Sequence, residues 1–286
     1  MALFRKNPVP APADAAPPGG PTILRARRDP RALAFEAQLA RGQWQELHDF
    51  LEATTEWDLR YFYVTELARI SGRPQWLDEW VAERPGSALP LLFRGSHSKY
   101  LAFQVLAAGA DTVKEDALLL FHARLVVAER DLAAAAALDE RDPNPWAESM
   151  AVARGLSLGQ PELRRRFEEA HRRDPFNGAA SVHMRCESSE ATLQFARWVS
   201  GEAPDGHTVH KVVALAHIEM WLASPRGEEQ QAYFRSQEVK QEVLAAARRS
   251  ILSPNYRRSG SVLSWQDRNV FAFCHRLMGE YAAQLE

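Results

Sequence analysis

The chain has 286 residues, 46% hydrophobic and 25% charged, with a formal net charge of −2. These proportions belong to a folded globular protein and exclude a wholly disordered chain, a collagen and a membrane-spanning bundle. A chain of this length buries roughly 75% of the surface it exposes when unfolded. Neither a disulfide nor a metal is therefore needed to hold it, and its two cysteines, Cys186 and Cys274, fit a reducing cytoplasm.

Residues 1–31 carry six cations against Asp14 and Asp29, a net of +4 that leaves −6 for the remainder. A mildly acidic body is a poor platform for nucleic acid, because affinity for phosphate backbones needs clustered cations. Six of the 17 prolines fall within residues 7–21, spaced by Ala and Gly. Such a stretch buries too little apolar surface to offset its ordering entropy, so 1–28 is expected to be a disordered, Pro/Ala-rich basic arm. It reads as an inert tail or as a tether whose tip, Met1–Lys6, docks on a partner. Arg5 and Lys6 are followed by Pro and Ala instead of the ~7–15-residue apolar core of a secretory signal.

From Asp29 onward, apolar residues recur three and four apart, which is a helical period. Asp29-Pro30, Asp142-Pro143 and Asp174-Pro175 read as helix entries, with aspartate capping free N–H groups and proline fitting the first turn. Ser253-Pro254 is a stop of similar kind. Thr112–Glu115 has capping-box spacing. The expected helices are 30–41, 43–54, 56–71, 73–84, 88–107, 112–139, 145–157, 161–172, 177–187, 189–200, 207–223, 235–252 and 264–285. Short gaps make consecutive helices antiparallel neighbours.

Three segments share a pattern. Gly42, Gly72 and Gly159 each precede a large aromatic, Phe50, Trp80 and Phe167, by eight residues, and Ala53, Glu83 and Ala170 follow three later. Glycine accepts the positive φ that ends the first helix of a hairpin, and the aromatic two turns on fills the space to the next helix. Ala191, Phe195 and Trp198 form a fainter copy without the glycine, and Pro143 to Pro175 spans one unit of 32 residues. Leu163, Phe167, Ala170 and Pro175, with Trp146 in the preceding helix, resemble the tetratricopeptide repeat. The period is 32 instead of 34, and Glu83 and Trp198 stand where the family has alanine. Trp76–Pro85, Ala153–Leu156 and Asn269–Phe273 are also similar to tetratricopeptide-like proteins of GC-rich bacteria, in keeping with 30 arginines against five lysines. The resemblance implies an all-α, antiparallel helix-hairpin stack, a TPR-like α-solenoid. Residues 29–286 would form one domain, with repeat hairpins over 29–204 and capping helices over 205–286. Leu263, Trp265, Val270, Phe271, Phe273, Leu277 and Tyr281 are the expected last core layer, and most of the eight tryptophans are expected to face the core.

No phosphate loop, dinucleotide fingerprint, nucleophile elbow or His-Glu-x-x-His occurs in the chain. His183 and Cys186 with Cys274 and His275 are candidate zinc ligands, but Cys274 and His275 are adjacent and diverge by about 100° on a helix. His207, His210 and His217 read as polar caps and surface contacts. Arg164–Glu168 and Arg165–Glu169 are expected four-apart pairs. No cofactor is expected. The expected function is a non-catalytic, cytoplasmic interaction scaffold that binds a partner protein segment in a concave groove. Polar side chains on first helices, Arg94, His97, Lys99, Asn144, Arg154, His183 and Arg185, are the groove candidates, and they favour an acidic segment or a free C-terminal carboxylate. In the tetratricopeptide family Asn and basic residues clamp carboxylates, and Asn144 and Arg154 are the nearest analogues. The alternatives are a metal- or cofactor-dependent enzyme on a helical scaffold, and a regulator touching nucleic acid through the basic arm.

Overall fold

The computed structural model describes residues 29–108, 115–256 and 261–279. The basic arm with its tip, Thr112–Lys114 of the capping box and Tyr281 lie outside them. The described residues form fourteen α-helices and no strand. They are α1 (Pro30–Leu39), α2 (Gln45–Ala53), α3 (Trp57–Leu67), α4 (Trp76–Glu83), α5 (Leu89–Ala108), α6 (Glu115–Leu138), α7 (Asn144–Gly155), α8 (Gly159–Arg173), α9 (Gly178–His183), α10 (Ser189–Glu202), α11 (Lys211–Ala223), α12 (Glu228–Tyr233), α13 (Gln237–Arg249) and α14 (Val262–Leu277).

Local chemistry sets the helix ends. Asp29 Oδ2 accepts the Ala32 amide at 3.2 Å, and Pro30 opens α1. Asp142 Oδ1 accepts the Asn144 amide at 2.8 Å beside Pro143 at the start of α7. The third Asp-Pro differs: Asp174 and Pro175 form a turn, and Asn177 caps α9 by accepting the Ala180 amide at 2.8 Å. The expected helix 177–187 stops at His183, because Met184 takes an extended conformation and Ser188 then caps α10. The expected helix 207–223 begins as a 3₁₀ turn at Thr208–His210, and a short α12 precedes α13. Gly42, Gly72 and Gly159 adopt φ of 75°, 71° and 83°, the left-handed region that glycine enters without steric cost.

The odd-numbered helices α1, α3, α5, α7, α9 and α11 each touch the next in sequence, while α6 packs on α5 and α7, and α8 on α7. Two apolar clusters result. The first gathers α1–α6, with Trp44, Trp80 and Phe93 fully enclosed. Trp44 and Trp80 stack at 5.5 Å, and Trp80 Nε1 donates to His48 Nδ1 at 3.2 Å, so the indole is both packed and satisfied. The second gathers α7–α14 around Phe167, Val243 and Phe271.

Helix α14 belongs to both clusters: Leu263 packs in the first, and Phe271 and Cys274, with Met278 just past its end, in the second. It therefore reaches back along the chain as well as covering the last helices. Of its expected core residues, Leu263 and Phe271 are buried, whereas Trp265 and Phe273 are exposed. Trp198 is likewise exposed, unlike Trp44, Trp76 and Trp80.

Trp80→Ala removes a fully buried indole and should cost ~3–5 kcal/mol of unfolding free energy. The exposed Leu33→Ala should cost no more than ~0.5 kcal/mol. Urea denaturation of the two variants checks the contrast, and similar losses would contradict the assigned core.

Candidate functional site

Four of the seven groove candidates converge where α3, α5, α7 and α9 meet. At the centre is Glu148 of α7, completely buried. Lys99 Nζ of α5 lies 2.6 Å from its Oε1. Tyr61 of α3 donates its hydroxyl to Oε2 at 2.7 Å. The phenol has one proton, so its 2.6 Å contact with His183 Nε2 requires the imidazole to donate there. The chain of contacts thus runs Lys99, Glu148, Tyr61, His183, and it fixes the His183 tautomer.

Burial pushes the Glu148 carboxyl up, but the Lys99 charge above all, with the hydrogen bonds of Lys99 and Tyr61, outweighs it and leaves the group below the ordinary value. Burial, reinforced by Lys99, drives His183 down to about 3, so its ring is neutral. Burial and the Glu148 charge hold the Tyr61 proton well above the ordinary phenol range.

Arginines line the outer side of this network. Arg154 of α7 is exposed, and its Nη1 donates to the carbonyl of His183. Arg185, just past α9, lies 2.8 Å through Nε from Glu219 of α11 and donates to the Met184 carbonyl at 3.1 Å. Among the described residues Arg154 makes no ion pair with a carboxylate, and burial of its charge together with the neighbouring Arg185 lowers its pKa from the ordinary value.

The other three candidates are committed elsewhere. Arg94 grips Asp131 of α6 through Nε and Nη2 at 2.7 and 2.9 Å and reaches Asp78 at 2.8 Å, pinning α5 to α6 and α4. His97 is buried, with its ring nitrogens 2.8 Å from the carbonyls of Ala68 and Gly72; burial lowers its pKa against those carbonyls. Asn144 is fully buried and donates to the Trp57 carbonyl at 3.0 Å.

Tyr61, Glu148 and Glu219 escaped the sequence reading. One signal for Glu148 was present: it is the lone acid in α7, whose residues from Asn144 to Ala153 are almost all buried. A carboxylate on a helix buried all round must find a cation.

A groove of about 660 Å³ opens between α8 and α10. Phe167, His171, Phe195 and Trp198 contact one another along it, with centroids 5.0–6.4 Å apart. Arg164, Glu168 and Cys186 also line it. The expected Arg165–Glu169 pair is replaced. Arg165 turns back to Glu162 at 2.8 Å, and Glu169 takes Arg172 and Arg173 at 2.5 and 2.6 Å.

Among the described residues no group of three or more His, Cys, Asp or Glu side chains is placed to hold a metal ion. Cys274 is fully buried, and burial raises its thiol to about 12. His207 caps the 3₁₀ turn by accepting the Val209 amide at 3.1 Å. His210 contacts Ser200 at 2.8 Å, and His217 contacts Glu242 at 2.8 Å. The three thus serve separate structural contacts. Compared with known proteins, the chain matches no family model, no curated protein and no solved structure.

The depressed His183 value has a definite pH consequence. Above pH 6.5 the ring is neutral in both folded and unfolded states. Below it the unfolded state takes up a proton that the folded state refuses until about pH 3. Stability therefore falls as pH drops from 6.5 towards 3, by at most ~1.4 kcal/mol per pH unit from this group. Urea unfolding across that window should show a shallower fall for His183→Gln than for the wild-type chain. Equal slopes would contradict a neutral, half-buried His183.

Proposed function

We propose that this chain is a non-catalytic interaction scaffold, a TPR-like stack of helix hairpins that binds an acidic partner segment along its row of odd-numbered helices. The positive-φ glycines at 42, 72 and 159 and the consecutive contacts of α1, α3, α5, α7, α9 and α11 support the stacked reading. In such stacks each hairpin leaves an apolar face that its neighbour covers, and the resulting wall is the binding surface.

The observation that carries the assignment is Arg154: an exposed residue beside Arg185 that makes no ion pair with a carboxylate among the described residues. Its planar donor fork suits a carboxylate from a partner. The network beneath it, built round the buried Glu148, supports a positioning role. His183 neutral down to about 3 and a Tyr61 proton held far above neutrality are unsuited to proton transfer near pH 7. A cytoplasmic setting fits two free thiols, and no helix among the described residues is long and apolar enough to cross a membrane.

The test is fluorescence anisotropy with acidic peptides bearing either a free or an amidated C-terminus. The wild-type chain should bind, and Arg154→Glu should weaken binding at least about tenfold, the effect of one lost charge-assisted contact. Undiminished binding by Arg154→Glu would remove this face from the assignment.

A further inference from the structure

The groove between α8 and α10 is lined by neither Arg154 nor Arg185. Phe167 and His171 of α8 and Phe195 and Trp198 of α10 form its apolar wall. Trp198 is 48% exposed there, whereas Trp44 and Trp80 are enclosed in the core. A volume of about 660 Å³ is enough to take a few side chains out of water.

The rim of the groove is acidic. Glu168 and Glu187 line it and are exposed, and Glu190, also exposed, adjoins it beside Ala191. Among the described residues neither Glu168 nor Glu187 makes an ion pair. Glu190 lies 3.8 Å from Arg197, which is held more closely by Glu242 at 2.7 Å. Arg164 is the one Arg or Lys among the lining residues, and it stands four residues before Glu168 on the same helix face. The occupant that suits this surface is a short apolar segment followed by cations.

The chain carries such a segment outside the described residues. Met1–Lys6 reads Met-Ala-Leu-Phe-Arg-Lys, two large apolar side chains and then two positive charges. Residues Asn7–Arg28, 22 in number, join it to Asp29, and such a length spans up to ~70 Å when extended. Asp29 accepts the Tyr63 hydroxyl of α3 at 2.6 Å. Tyr61, two residues before Tyr63, touches His183 at 2.6 Å, and Met184 and Cys186 of the groove follow within three residues. That route from Asp29 to the groove is on the order of 40 Å, inside the reach of the connecting residues. The tether also holds the tip at an effective concentration of about a millimolar, so modest contacts suffice.

We propose that Met1–Lys6 docks in cis in the groove between α8 and α10, with Leu3 and Phe4 on the aromatic wall and Arg5 and Lys6 against Glu168 and Glu187. The docking is independent of the peptide-binding reading, because neither helix carries Arg154 or Arg185.

Cys186 is a native reporter, half-buried on the groove, while Cys274 is fully buried. In the full chain, Phe4→Glu combined with Lys6→Glu should speed the reaction of Cys186 with an aromatic disulfide reagent at least about tenfold, with an unchanged circular dichroism spectrum. Glu187→Lys should also speed it, and adding Lys6→Glu to Glu187→Lys should slow it again. Position is read separately by cross-linking in oxidised glutathione. Phe4→Cys should form a disulfide with Cys186 of the same chain at least about tenfold faster than Ala13→Cys, nine residues further along the arm. Equal rates for the two cysteines, a cross-link formed only between two chains, or Cys186 reactivity indifferent to the tip substitutions would each overturn the proposal.

Discussion

One buried carboxylate organises the centre of this molecule. Glu148 is shut off from water and can remain ionised only because α5 supplies Lys99 and α3 supplies the Tyr61 hydroxyl. Tyr61 in turn holds His183 of α9, whose carbonyl receives Arg154. Four helices from distant parts of the chain are thus fixed in register by the requirement that one charge be answered. The Arg154 side chain proposed to bind a partner stands on that arrangement.

The same device recurs along the chain. Arg60 and Asp142 join α3 to the entrance of α7 at 3.1 Å, and Arg166 and Glu129 join α8 to α6 at 2.6 Å. Lys211 and Asp267 join α11 to α14 at 2.6 Å, with Tyr256 adding a second bond to the same acid at 2.9 Å. Such pairs gain little net stability over apolar replacements, since desolvation offsets their attraction, but breaking one leaves a buried charge unanswered. Among helices with interchangeable apolar faces, they penalise a slipped register more sharply than alanine and leucine contacts do.

Local features were legible in the sequence, and long-range ones were not. The hairpin glycines and the Asp29 and Asp142 caps follow from backbone preferences that act within a few residues, and they appear where the pattern puts them. Asp174 misled because Asn177, three residues on, is the cap used. Lys99, Arg154, His183 and Arg185 shared one reading because they are polar residues on alternate helices. Arg94, His97 and Asn144 shared it too, yet they answer Asp131, two backbone carbonyls and the Trp57 carbonyl. Which polar side chain is free and which is spent depends on partners up to 122 residues away, and spacing alone carries no such information. Trp198 was misplaced for the same reason: its period is that of a core residue, but α8 and α10 stand apart there and leave it on the wall of a groove.

The central claim, that the Glu148 charge and its partners lock the inner helices, is tested most directly by a double-mutant cycle on Lys99 and Glu148. Lys99→Met alone should cost about 3–5 kcal/mol in urea unfolding, the penalty of a buried charge left unpaired. Adding Glu148→Gln should then recover at least half of that loss. If the two losses instead add to within ~0.5 kcal/mol, as for independent sites, the charges are not coupled and the account is wrong.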